Sequence, residues 1–345
     1  MAQINKPSEY FNTKLYTGNG TTNAITGVGF QPDLLWIKAR SSAYNHNLYD
    51  AVRGLSAGAI ISNTTDAEDS VQRIATLDAD GFTTSSTNYT YTNASGTTYV
   101  AWNWLANGAG SSNTDGSITS TVSANTTSGF SIVKYTGTGA NATVGHGLSS
   151  APKMVIVKST SAVGDWLVGH SGIGFTERIL LNTTGAKVTD STSWQDTAPS
   201  SSVFSIGTNG ACNTSSVNYV AYCFAEKKGF SKFGSYTGNG NADGTFVYTG
   251  FKPAFVIVKK SSASGDNWSM LDNKRNTFNG VDKYLFADTN AAEGTVNYWD
   301  FTSNGCKNRN AAASGNSNAA GGTYIYMAFA EQPLVGTNGV PTTAR

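Results

Sequence analysis

Charge is the first scarcity in this sequence. Asp, Glu, Lys and Arg make up 13% of the 345 residues and leave a formal net charge of +1, about half the usual charged share. The longest basic run is a lysine pair such as Lys227-Lys228. The concentrated basic face of a nucleic-acid binder is therefore missing, and neither nucleic acid nor another polyanion is expected as a partner. Long apolar runs are missing too. No stretch reaches the length needed to cross a bilayer, so membrane insertion is not expected. The opening Met-Ala-Gln-Ile-Asn-Lys-Pro lacks the apolar core of a secretory signal, which points to synthesis in a cytoplasm and any extracellular role by assembly or lysis.

Residues that carry chemistry are equally sparse. Three cysteines, Cys212, Cys223 and Cys306, form an odd set without CxxC spacing, so no disulfide framework is expected. Cys223 falls in a strand pattern and reads as a small buried thiol. His46, His146 and His170 lack metal-ligand spacing and read as surface or turn residues, so no metal is expected. There is no Gly-x-Ser-x-Gly elbow, no phosphate-binding loop and no EF-hand pattern. A glycosidase would need two carboxylates across a sugar bond. Asp50 with Asp33, or Asp272 with Asp266, could be paired, but the second copy of the repeat described below has Gly169-His170 where the others have Tyr49-Asp50 and Leu271-Asp272. Asp50 with Arg53 and Asp272 with Arg275 read instead as exposed or half-exposed loop ion pairs of small energetic weight. The expectation is a non-enzymatic protein without cofactor.

What the chain has in quantity is Gly, Ser, Thr and Asn, with aromatics at 11%, a composition of strands and tight turns rather than disorder. An internal repeat organises it. Tyr16-Thr17-Gly18-Asn19-Gly20, Tyr135-Thr136-Gly137-Thr138-Gly139 and Tyr236-Thr237-Gly238-Asn239-Gly240 each precede a Pro-led apolar run ending in lysine at Lys38, Lys158 and Lys259. Each copy closes alike, at Tyr99 to Trp104, Tyr219 to Phe224 and Tyr324 to Phe329. An Asn/Asp-Thr turn recurs between them, from Asn63 to Glu68, Asn182 to Lys187 and Asp288 to Glu293.

The Pro-led runs are apolar at both parities, as in a strand covered on both faces. The closing strand alternates, with Val220, Tyr222 and Phe224 on one face and Tyr219, Ala221 and Cys223 on the other. The region Thr65 to Leu77 offers at most one or two helical turns. The pattern implies an all-β fold of three tandem antiparallel β-sandwich, jelly-roll-like domains. They span residues 1–105, 130–228 and 229–332. Residues 106–129 form a Gly/Ser/Thr/Asn-rich linker that could add one edge strand, and 333–345 a C-terminal tail. The short second junction fixes copies two and three together, whereas copy one hangs on the longer linker. Three similar domains could mimic a trimer about a local three-fold axis.

Turn-rich loops carry Tyr44, Trp194, Tyr298 and Trp299, aromatics suited to stacking on sugar rings and nominated as glycan or partner contacts, although filling sandwich edges is the blander role.

The segments Lys232 through Pro253, Tyr324 through Pro333, Tyr10 through Gly18 and Tyr99 through Trp104 resemble a poorly characterised β-domain family of tailed-phage virion and tail-fibre-like proteins, notably from marine phages. The resemblance covers nearly the whole chain and brings no catalytic residue with it. It implies a structural protein on the virion surface, with other capsid or tail proteins as partners and a homo-oligomer, a trimer among the options. Within it, a capsid decoration, knob or short appendage stands against a tail-fibre adhesin for host-surface carbohydrate, with a glycan-cleaving tailspike as a weaker rival.

Overall fold

The closing strands carry large apolar or aromatic side chains on both faces, and in the structure they lie inside the sheets, paired on both edges. In this computed structural model, which describes residues 3–309, 315–336 and 338–343, the chain is all-β with several antiparallel sheets. The opening strands are Phe11–Thr17, Phe130–Thr136 and Ser231–Thr237, and the closing strands are Thr98–Trp104, Asn218–Phe224 and Thr323–Pro333. Each opening strand pairs antiparallel with its closing strand, in matching register: Tyr16 faces Tyr99, Tyr135 faces Tyr219 and Tyr236 faces Tyr324. The closing strand's other edge takes the Pro-led strand (Leu34–Ala39, Met154–Ser159, Phe251–Lys260), which then pairs with Asn47–Asp50, Leu167–His170 or Ser269–Asp272.

Each copy adds a second layer. Asn23–Thr26 pairs with Gly81–Thr84, Ala142–Gly145 with Val203–Ile206, and Phe246–Tyr248 with Gly305–Asn308. One face of the closing strand packs into the core of its own copy. For the second copy that core holds Tyr219, Ala221 and Cys223 with Val144, Phe204 and Ile206 of the second layer. Inside each copy the two strand tyrosines stack, at 5.1 Å for Tyr16–Tyr99, 5.3 Å for Tyr135–Tyr219 and 5.0 Å for Tyr236–Tyr324. The closing tyrosine hydroxyl then accepts from the amide of Ala94, Thr214 or Ala319, at 2.8–2.9 Å. Gly18, Gly137 and Gly238 lie so close beneath the carbonyls of Ala94, Thr214 and Ala319 that a Cβ would overlap the oxygen. The repeated Tyr-Thr-Gly is thus the contact between the opening turn and the loop before the closing strand.

The other face of every closing strand leads to a single core shared by all three copies. Val100, Trp102 and Trp104 meet Val220, Tyr222 and Phe224, and Ile325, Met327 and Phe329 there. Trp104, Phe224 and Phe329 occupy the same repeat position and touch one another, with ring centroids 6.4, 5.8 and 6.0 Å apart. Such aromatic contacts are each worth about 0.5–1.5 kcal/mol beyond the area they bury. The doubly apolar parity of the Pro-led strands has the same cause, since Leu35 and Ile37 fill the first copy's own core while Leu34 and Trp36 fill the shared one.

Two expectations are corrected here. Residues 106–129 are not a linker from which copy one hangs. They form strands Ser111–Asn113 and Ser120–Asn125, which pair with each other, and the latter pairs with Phe130–Thr136. Ile118 and Val122 enter the second copy's core, which is enough to order an otherwise polar segment. The stretch from Thr65 holds no helix; it runs irregularly into the strand Ile74–Asp78. The two chain ends are neighbours: the Ile4 amide donates to the Lys228 carbonyl at 3.1 Å and the Gln3 side chain to the Val335 carbonyl. No helix of the described residues is long and apolar enough to cross a membrane.

Candidate functional site

The Asn/Asp-Thr turns, weak landmarks in the sequence, are where the copies join. Asn63, Asn182 and Asp288 each accept, through the side chain, from the backbone amide of His46, Trp166 or Trp268 in the same copy. The ring of that aromatic residue reaches the preceding copy. Trp166 Nε1 donates to the Ile61 carbonyl at 2.9 Å, and Trp268 Nε1 to the Leu180 carbonyl at 2.9 Å. His46 Nε2 lies 2.8 Å from the Phe286 carbonyl; its Nδ1 accepts from Trp36 Nε1, so Nε2 carries the proton and donates. A backbone bond follows at each junction, from Glu68 to Thr160, Lys187 to Ser261 and Glu293 to Arg40, at 2.8–3.0 Å. Copy one joins two, two joins three, and three joins one: the ring is closed.

Beneath these contacts lie the titratable groups. Asp50 and Arg53 form a 2.6 Å ion pair whose side chains are 0% and 1% exposed, and Asp272 and Arg275 repeat it with both at 0%. The expectation of exposed loop pairs is therefore overturned; both lie where neighbouring copies meet. Asp50 also accepts from Tyr222 of copy two at 2.8 Å, and Asp272 from Trp102 Nε1 of copy one at 3.1 Å. Arg53 reaches Glu68, and Arg275 reaches Glu293, which Arg40 holds with two 2.9 Å bonds.

Copy two differs for a visible reason. The residue matching Trp102 and Tyr222 is Met327, which cannot donate, and the position matching Asp50 is His170 rather than a carboxylate. His170 Nδ1 accepts from the Gly172 amide, and its Nε2 donates to the Tyr326 backbone carbonyl at 3.1 Å. A neutral ring suits this site, and burial lowers its pKa to about 4.

All three histidines are buried rather than superficial, at 0%, 0% and 1% exposure for His46, His146 and His170. The lysines ending the Pro-led strands are buried as well. Lys38 donates to the carbonyls of Ala39 and Ser42, Lys158 to those of Gly164 and Thr65, and Lys259 to that of Asp266, so each holds the loop that follows its strand. Burial pulls Lys38 down to about 7, reinforced by Arg275, and Lys158 and Lys259 down to about 8. Among the described residues no group of three His, Cys, Asp or Glu is placed to hold a metal ion. The three cysteines are free and buried.

The aromatics nominated for sugar contact are placed elsewhere than expected. Trp194 is fully buried, edge-on to Phe175 at 5.8 Å. Trp299 sits edge-on to Tyr236 at 5.7 Å, and Tyr298 packs on Tyr284 at 5.1 Å, both buried. None of these three offers a face to a ligand. Tyr44 is half-buried against Tyr91 and the core of copy one. The flanking Asn and Asp gave these segments a loop-like sequence, while the large rings were needed to fill the cores.

An open cleft of about 480 Å³ lies at the junction of copies two and three. Lys153, Lys227, Lys228 and Lys232 line it, with Glu226 and the exposed ring of Tyr248. Glu226 is taken up by Lys232 Nζ at 2.7 Å and the Phe233 amide. Among the described residues Lys153, Lys227 and Lys228 have no ion-pair partner. Only the Lys227-Lys228 pair was visible in the sequence; Lys153 and Tyr248 are brought to it by the fold.

The chain belongs to the family described as domain of unknown function (DUF7483), which matches residues 6–333 and so takes in all three copies as one unit. No curated protein and no solved structure matches it.

Proposed function

We propose that this chain is a non-enzymatic structural protein on the exterior of a tailed-phage virion, a capsid decoration, knob or short appendage. In this reading its three copies are β-sandwich, jelly-roll-like domains locked into a single-chain counterpart of a trimer. The observation that carries it is the closed ring. Three equivalent junctions surround one shared core, and the acids, guanidinium groups, lysines and histidines at those junctions are engaged in holding the copies together. A trimer made as one chain has fixed stoichiometry and loses no stability on dilution, properties that suit a particle component. The family resemblance of its opening and closing segments supplies the virion setting.

Imaging of particles labelled on this protein, with quantitative mass spectrometry of purified virions, tests the reading. Hundreds of copies on the shell mark a decoration, and a few to a few dozen at the tail mark an appendage. Absence from purified particles refutes it. Release of reducing ends from host polysaccharide by the purified protein would refute its non-enzymatic part.

A further inference from the structure

We propose that the lysine-lined cleft between copies two and three binds an acidic saccharide, its anionic groups held by Lys153, Lys227 and Lys228 and one ring face lying on Tyr248. This goes beyond the virion reading, does not depend on it, and departs from the expectation, drawn from overall charge, that no polyanion is a partner. The chain as a whole carries a net charge of only +1, yet four lysines from two separate segments converge on this cleft with one carboxylate, which Lys232 already neutralises. Lys227 is half-buried without a counter-ion among the described residues, and burial lowers its pKa. An anion arriving there offsets that desolvation by charge attraction, and charge-assisted hydrogen bonds are the strong ones.

Size and shape narrow the ligand. At about 480 Å³ the cleft falls within the range of small-molecule sites and far exceeds what one phosphate fills. Tyr248 is 57% exposed and lines the cleft beside Gly250. An exposed aromatic face beside cations suits a sugar ring bearing carboxylate or sulfate. No basic track leads away in sequence from the Lys227-Lys228 pair, which disfavours a nucleic-acid strand.

Calorimetry on the full chain at low salt tests this with trigalacturonate, a chondroitin sulfate hexasaccharide, maltotriose, inorganic phosphate and a short single-stranded DNA. At least one acidic saccharide should bind about tenfold or more tighter than maltotriose and phosphate. Lys227→Gln with Lys228→Gln should weaken that binding about tenfold or more without moving the melting temperature, and Tyr248→Ala should weaken it severalfold. If the double variant proves less stable, the exposed Lys153→Gln takes its place with the same expectation. The proposal is overturned if neither acidic saccharide binds, if phosphate binds as tightly, if DNA binds more tightly, or if the substitutions leave affinity unchanged.

Discussion

The Tyr222 hydroxyl of the second copy donates a 2.8 Å hydrogen bond to the Asp50 carboxylate of the first, inside a region neither copy could bury alone. Asp50 is at the same time held by Arg53 at 2.6 Å. Removing the hydroxyl leaves the carboxylate one donor short in a fully buried site. Tyr222→Phe should therefore cost about 1–3 kcal/mol. Asp50→Ala, which strands a buried guanidinium, should cost about 3–5 kcal/mol. Denaturant titration gives both values, and a Tyr222→Phe variant of wild-type stability would show that the bond carries no weight.

The His170 position tests the matching of polar partners across junctions. His170→Asp places a carboxylate opposite Met327 with Ile173 where the other copies have arginine, so it should destabilise by about 3 kcal/mol or more. Adding Met327→Tyr and Ile173→Arg rebuilds the arrangement of the first junction and should recover a large part of the loss. A triple variant no more stable than His170→Asp alone would break the argued equivalence.

Stability should rise with pH across the range 7 to 9. The folded pKa values of Lys38, Lys158 and Lys259 are depressed to about 7, 8 and 8 from 10.5. Over that interval the unfolded chain binds more protons than the folded one, so raising the pH favours the fold. Above 9 the cysteines, whose thiol pKa values burial raises, begin to oppose the gain, and above 10 the buried tyrosines add to it. Thermal midpoints measured from pH 6 to 10 should peak near 9. A flat or falling curve between 7 and 9 would contradict this account.

A methyl group at Gly18, Gly137 or Gly238 meets a backbone carbonyl that is itself fixed by neighbouring hydrogen bonds. Each Gly→Ala substitution should destabilise by about 1–3 kcal/mol, and by similar amounts at the three positions. Chemical denaturation of the three single variants checks both the size and the equality.

Residues 1–105 made alone should not remain a folded monomer. Phe11, Leu34, Trp36, Trp102 and Trp104 would all face water, the kind of apolar patch that drives association or unfolding. Analytical ultracentrifugation with a melting curve decides the matter; a monomer with a cooperative transition would show the copies to be independent.

Much of the fold was legible in the sequence because strand physics is local. The repeated Tyr-Thr-Gly turns, the Pro-led runs and the alternating closing strands each record which residues face a core, and the observed registers follow them. The sites were not legible. Asp-x-x-Arg looks the same in an exposed loop and in a buried junction, and Trp194 among Gln and Asp looks the same whether its ring points out or in. Lys153 and Tyr248 are distant in sequence and share a cleft only because two copies abut.

By itself the sequence determined the all-β class, the three copies, and the two apolar faces of their central strands. Only the tertiary structure decided what covered the second face: the other two copies, closed into a ring around Trp104, Phe224 and Phe329. The reason is physical. Alternation along a strand reports that a side chain leaves water but not which partner excludes it, and that partner is set by contacts between residues far apart in the chain.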